Sequence, residues 1–63
     1  MSYFVGPYTG QNYKIDSANG EFYGYEHTEE GGWYFCDESK NEKDLIKKLT
    51  ERDARAFNER KAI

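Results

Sequence analysis

The sequence predicts an α+β fold in which a small three-stranded antiparallel β-meander is followed by one long C-terminal α-helix, in the order β-β-β-α. Ten of the eleven aromatic residues lie within the first 35 positions, and aromatic side chains favour pleated surfaces. Beyond residue 40 the chain is rich in Lys, Glu, Leu, Arg and Ala, which favour helices. The 63 residues are therefore expected to form a single domain, with a lead-in over 1–10, the meander over 11–36 and the helix over 40–60.

The lead-in is expected to be irregular. Gly6-Pro7 marks a turn, and proline has no N–H to donate to a strand ladder. A short edge strand at 2–5, where three apolar residues follow one another, is the alternative.

The first hairpin has the clearest local signals. Tyr13 and Ile15 alternate with polar residues over 11–16, which is the two-residue period of a half-buried strand. Asn19-Gly20 then separates this run from the next one. Because both residue types tolerate positive φ, this dipeptide predicts a tight β-turn.

The second and third strands are predicted at 21–27 and 33–36, on either side of a turn over 28–32. In the second strand, Tyr23, Tyr25 and His27 share one face, and the intervening residues share the other. The third strand is aromatic on both faces, which leaves its register open. The sequence also leaves open which sheet face packs on the helix.

Two caps compete at the start of the helix. Ser39 followed by Glu42 fits the capping-box pattern, and Asn41 followed by Asp44 is its rival.

The apolar stripe of the helix is clear in its first half, where Leu45, Ile46 and Leu49 share one side. The stripe thins at Arg52-Asp53, so the sequence does not decide whether the helix continues to Phe57.

Charge is unevenly distributed along the chain, whose net charge is −3. Residues 1–40 hold two lysines against seven acidic residues, a charge of −5, and residues 41–63 hold seven basic against five acidic residues, a charge of +2. An acidic, aromatic front disfavours contact with phosphates, which need a basic surface.

The sequence offers little for chemistry, and we predict no enzymatic activity, no cofactor and no metal. His27 and Cys36 are the sole residues of their types, no zinc-ligand spacing occurs, and the glycines lack the Lys-Ser/Thr of a phosphate loop. The chain opens without a basic segment or apolar run, and no stretch is long enough for a membrane span, which favours a cytoplasmic protein.

The aromatic surface exceeds what the apolar stripe in the first half of the helix can cover. Either the N-terminal segment covers the remainder, or a partner protein or a second copy of the chain does. The leading hypothesis is a small non-enzymatic protein-binding module that occupies the surface of a larger protein. Small size with an acidic, aromatic composition is also found in accessory proteins of phages and mobile elements that inhibit a host protein, although no motif supports that analogy.

The partner-binding residues expected under this hypothesis are aromatic anchors with an acidic rim that steers the partner. They are Tyr23, Tyr25, Trp33 and Tyr34, with Glu26, Glu29 and Glu30.

Two alternatives belong to other classes. A nucleic-acid-binding or transcription-related protein would use the basic side of the helix, at Lys47, Lys48, Arg52 and Arg55. A self-assembling structural subunit, a homo-oligomer, would gain stability by pairing.

Overall fold

The computed structural model describes residues 2–61, which form a four-stranded antiparallel sheet followed by one helix. The elements are β1 (Ser2–Val5), β2 (Asn12–Ala18), β3 (Glu21–His27), β4 (Trp33–Ser39) and α1 (Glu42–Lys61). The strands lie in sequence order and each is antiparallel to the next, so the sheet is a meander. The α+β class is confirmed. The ends of the predicted 1–63 domain, Met1, Ala62 and Ile63, lie outside the described residues.

The strand count of three was wrong, because the lead-in contains an edge strand. In β1, Tyr3 pairs with Lys14 and Phe4 with Tyr13. The turn at Gly6-Pro7 begins after this strand, where proline interrupts no ladder. Four residues are too few to show a periodic pattern, so β1 is specified by its pairing with β2 rather than by its own sequence.

The two predicted turns between the strands of the meander are both present. Asn19 and Gly20 have φ values of 52° and 77°, as a two-residue hairpin loop of type I′ requires. In the next turn Gly31 has φ of 90°, and the backbone N–H of Thr28 donates to the carbonyl of Gly32 at 2.9 Å.

A register shift in the β3–β4 pair decides the faces of β4. Tyr25 lies opposite Phe35, but its neighbour Gly24 lies opposite Asp37. Cys36 is therefore the extra residue of a β-bulge. Beyond this bulge β4 continues to Ser39, three residues past the end of the strand that the sequence predicts.

One sheet face packs on the helix. Its core consists of Tyr13 and Ile15 from β2 with Leu45 and Leu49 from the helix, all of them buried. Gly24 allows this close packing, since a Cβ at that position would lie 3.0 Å from the Leu49 side chain. The partly buried residues around this core are Phe4, Phe22, Cys36 and Ile46.

The helix begins at the rival cap. The backbone N–H of Asp44 donates to the Asn41 side-chain oxygen at 3.2 Å, so Asn41 is the N-cap. Ser39 has a supporting role: its hydroxyl accepts from the Asn41 N–H and donates to the Asp44 carboxylate at 2.7 Å. This hydrogen bond from Ser39, helped by the nearby Lys48 ammonium, lowers the pKa of Asp44.

The helix continues past Arg52 without a break to Lys61. Asp53 is completely buried, so the point where the apolar stripe thins still faces the protein interior. Phe57 lies one turn further, half-exposed, with its ring centroid 6.1 Å from that of Tyr8.

Candidate functional site

The sheet face that points away from the helix is exposed, and we call it the open face. The strand register places Tyr3, Lys14, Tyr25 and Phe35 in one row across it. The adjacent row runs through Asp16, Tyr23 and Glu38. Alternation along the strands adds Glu21, His27 and Trp33 to the same face.

Trp33 lies at the centre of an aromatic cluster on this face. Its ring centroid is 6.1 Å from that of Tyr3 and 5.1 Å from that of His27, which it meets edge to face. Tyr25 meets Phe35 at 5.9 Å, also edge to face. Tyr3, Trp33 and Phe35 remain 68%, 36% and 48% exposed, so this cluster is a surface rather than a second core.

Lys14 lies within the aromatic cluster. Its ammonium is 5.0 Å from the ring centroids of both Tyr25 and Trp33, within the range of a cation–π contact. The Asp16 carboxylate lies 3.7 Å from the same nitrogen. The side chain of Lys14 is only 16% exposed, which shows that its stem packs on the rings.

The open face is acidic. Lys14 is offset by three carboxylates, Asp16, Glu21 and Glu38, which gives these four residues a formal charge of −2. Tyr23 donates its hydroxyl to Glu21 at 3.0 Å, and this hydrogen bond raises the pKa of Tyr23.

The structure brings some of the predicted partner-binding residues together and separates others. Tyr23, Tyr25 and Trp33 share the open face. Tyr34 lies opposite Glu26, in register with buried Tyr13, and therefore belongs to the helix side of the sheet. The bulge at Cys36 does not change this, because Tyr34 precedes it.

The predicted acidic rim is likewise divided. Glu26 lies on the helix side, 3.6 Å from the Arg52 guanidinium. Glu29 and Glu30 are exposed in the turn between β3 and β4. Tyr3, Lys14 and Phe35 are among the open-face residues that sequence reasoning missed.

Two of the four residues of the predicted basic site, Lys48 and Arg52, form ion pairs within the chain. Lys48 lies 3.6 Å from Asp44 and 4.0 Å from Asp37, and donates to the Glu38 carbonyl at 3.2 Å. The Arg52 guanidinium pairs with the Glu26 carboxylate. Lys47 and Arg55 are exposed. The basic side of the helix is therefore largely balanced by acidic residues.

A second group of polar residues, which the sequence did not reveal, surrounds the carboxylate of Asp53. One carboxylate oxygen accepts the backbone N–H groups of Tyr8 and Thr9 at 2.9 and 3.1 Å. The other accepts the Thr9 hydroxyl and, at 3.0 Å, the Tyr13 hydroxyl. Burial raises the pKa of Asp53, but these hydrogen bonds outweigh it and the net shift is downward. The pKa of Tyr13 shifts the other way: it is raised by burial and by the hydrogen bond that the Tyr13 hydroxyl donates to Asp53.

The groups with reactive side chains are dispersed. His27 lies on the open face and Cys36 packs at the edge of the core, so the two are not brought together. Burial raises the pKa of Cys36, which disfavours the reactive thiolate. Within residues 2–61, no group of three His, Cys, Asp or Glu side chains is placed to hold a metal ion.

Comparison of the chain with models of protein families, with curated proteins and with solved structures finds no match. Over the described part of the chain, no helix has the length and apolar character needed to cross a membrane.

Proposed function

We propose that this protein is a binding module that docks its open face on the surface of a larger protein. The observation that carries the proposal is the set of exposed rings of Tyr3, Trp33 and Phe35 on one face of a regular sheet. Large, rigid aromatic side chains are enriched among the residues that dominate binding energy at protein interfaces. Tyr23 and Tyr25, which share this face, add amphipathic area.

Charge favours a protein partner over nucleic acid. Phosphate contacts supply most of the affinity for nucleic acids and require a basic surface. The open face carries a formal charge of −2 over its four ionised residues, and on the helix Lys48 and Arg52 already pair with carboxylates. Among the described residues, neither the open face nor the helix therefore presents a continuous basic patch.

Occupation of a partner's surface also suggests how such a module would act. A bound open face would exclude other molecules from the surface that it covers. The inhibitory role predicted from size and composition is therefore part of the proposal, with blockage rather than chemistry as its mechanism.

The test compares aromatic substitutions on two sides of the molecule. The double variant Tyr25→Ala/Phe35→Ala removes one edge-to-face pair from the open face. Its control, Tyr34→Ala/Phe57→Ala, removes two exposed rings elsewhere. Partners are captured on the immobilised wild-type protein with and without nuclease, identified, purified and titrated by calorimetry, and circular dichroism checks each fold.

We expect the open-face variant to bind a one-to-one partner about 30-fold more weakly, and the control to bind like the wild type. A partner that binds both variants equally, or that loses affinity for the control alone, would remove the open face from the proposal. Capture that disappears with nuclease treatment would favour the basic side of the helix instead.

A further inference from the structure

We infer that the open face recognises a basic protein surface, whose arginine or lysine side chains stack on its rings between its carboxylates. The inference rests on the proposed function and adds the chemistry of the partner to it.

Lys14 already shows how a cation sits on this face. Its ammonium lies 5.0 Å from the ring centroids of Tyr25 and Trp33, with the Asp16 carboxylate 3.7 Å away. The open face thus contains an occupied example of the geometry that a cation prefers, namely aromatic faces beside an anion. Arginine and lysine side chains of a partner have the same requirements.

Lys14 leaves room on the open face for a second cation. Its charge is offset by Asp16, and its ammonium lies over Tyr25 and Trp33 rather than over the rest of the row. Phe35, about half-exposed, and the exposed Glu38 remain on the β4 side of the face. A guanidinium placed there would meet an aromatic ring and a carboxylate, which is the combination that Lys14 meets.

Charge complementarity over a longer range also favours a basic partner. Glu29 and Glu30 extend the acidic character into the turn next to Trp33. A basic surface would therefore be attracted to this side of the molecule, and an acidic one repelled. Two copies of the chain meeting through their open faces would bring like charges together, which disfavours self-pairing there.

The test uses two substitutions for which a basic partner predicts opposite effects. Lys14→Met removes the sole positive charge among the four ionised residues of the open face but keeps an unbranched apolar stem. Glu38→Gln removes one negative charge at an exposed position. The matched controls are Lys47→Met and Glu51→Gln, which make the same charge changes at exposed positions on the helix.

The probe is a peptide of alternating arginine and glycine, with a glutamate–glycine peptide for comparison. Binding is followed by amide chemical shifts and by the fluorescence of Trp33, the sole tryptophan. We expect the arginine peptide to shift open-face signals, Lys14→Met to bind it about threefold more tightly, and Glu38→Gln about threefold more weakly. The helix controls should bind it like the wild type.

Several outcomes would overturn the inference. They are weaker binding by Lys14→Met, equal binding of the glutamate peptide, shifts confined to the helix, and no binding of the arginine peptide. A concentration-dependent mass that Tyr25→Ala/Phe35→Ala abolishes would identify a second copy of the chain as the occupant and would also overturn it.

Failure of the inference can be told from failure of the proposed function. A captured partner that needs Tyr25 and Phe35 but binds Glu38→Gln at least as tightly as the wild type would leave the function standing and refute the basic surface. Conversely, the predicted peptide behaviour without any protein that depends on Tyr25 and Phe35 would support the chemistry and refute the function.

Discussion

At the scale of single residues, Asp53 has the most consequential environment in the chain. Its four hydrogen bonds come from three residues, Tyr8, Thr9 and Tyr13, more than 39 positions away in sequence. A buried donor that loses its acceptor costs about 1–3 kcal/mol. The carboxylate therefore stabilises the loop over 6–11 against the helix, although charged residues are seldom buried completely.

We predict that Asp53→Asn lowers the free energy of unfolding by about 3 kcal/mol, because an amide keeps one accepting oxygen and turns its NH₂ toward donors. Urea denaturation at low temperature measures the loss. The control is Asp44→Asn, which changes an exposed carboxylate and should cost less than about 1 kcal/mol. Similar losses for the two variants would mean that the buried hydrogen bonds of Asp53 stabilise the fold no more than the contacts of an exposed carboxylate.

The same variant should also change the response to acid. Since the pKa of Asp53 is lower in the folded chain than its ordinary value of 3.8, its stabilisation is present above that value. It is lost as the pH falls through 3.8 toward the folded pKa. Between pH 5 and pH 3 the wild type should lose more stability than Asp53→Asn, whose remaining acid dependence includes Asp44. Parallel curves would contradict this.

Gly6 gives an independent test of the same contact. A Cβ on Gly6 would overlap the Asp53 carboxylate, whereas a Cβ on Gly10 would have no neighbour within 4 Å. Gly10 has φ of +79°, so an alanine there costs about 1 kcal/mol through backbone strain alone. We predict that Gly6→Ala costs at least about 2 kcal/mol, measured by urea denaturation. If Gly6→Ala costs less than Gly10→Ala, Gly6 and the Asp53 carboxylate are not in close contact.

Asp53 and Lys14 show what a single sequence can and cannot reveal about residues. Asp53 lies four positions after Leu49, on the apolar stripe, and in the sequence it marks the place where that stripe thins. Its partners lie in a distant loop, so no local pattern indicates them. Lys14 was predictable: the two-residue turn at Asn19-Gly20 fixes the hairpin register, and that register alone places Lys14 opposite Tyr25.

At the scale of elements, the helix start can be tested by its cap. Asn41→Ala removes the oxygen that accepts the Asp44 N–H, and we predict a loss of about 1 kcal/mol in thermal or urea unfolding. Ser39→Ala is the matched control, because Ser39 contacts Asn41 and Asp44 but does not accept a helical N–H. It should cost less than Asn41→Ala. The reverse order would make Ser39 the main cap.

The predictability of each element follows the range of the interactions that specify it. The first hairpin and the helix are specified locally, by Asn19-Gly20 and by helix-forming residues, and both were predicted near their observed bounds. β1 depends on pairing with β2, and the faces of β4 depend on the bulge at Cys36. For this reason the sequence predicts only three strands. Tyr34 lies on the other face for a different reason: its strand is aromatic on both faces, so no alternation in the sequence shows which face Tyr34 occupies.

At the scale of the whole molecule, the helix side of the sheet supports the open face. The described molecule is flat, with extents of 41 × 25 × 14 Å, and its two sheet faces are separated by one layer of backbone. Tyr3 of the open face stands on β1, and the loop that follows β1 is fixed by Asp53 on the other side. The position of Tyr3 on the open face therefore depends on hydrogen bonds on the helix side of the sheet.

This dependence predicts how the molecule opens. Native-state amide exchange should show that Asp53→Asn lowers protection in β1 and the 6–11 loop about tenfold more than in β3, because those segments lose their anchor while the hairpin of β3 and β4 keeps its ladder. Asn41→Ala, which weakens the helix start, should lower protection more evenly. An equal fall across all strands in Asp53→Asn would mean that the sheet opens as one unit. If protection falls mainly in β1 and the 6–11 loop, Asp53→Asn should also weaken the binding of a partner that contacts Tyr3, although Asp53 lies on the opposite side of the sheet from the open face.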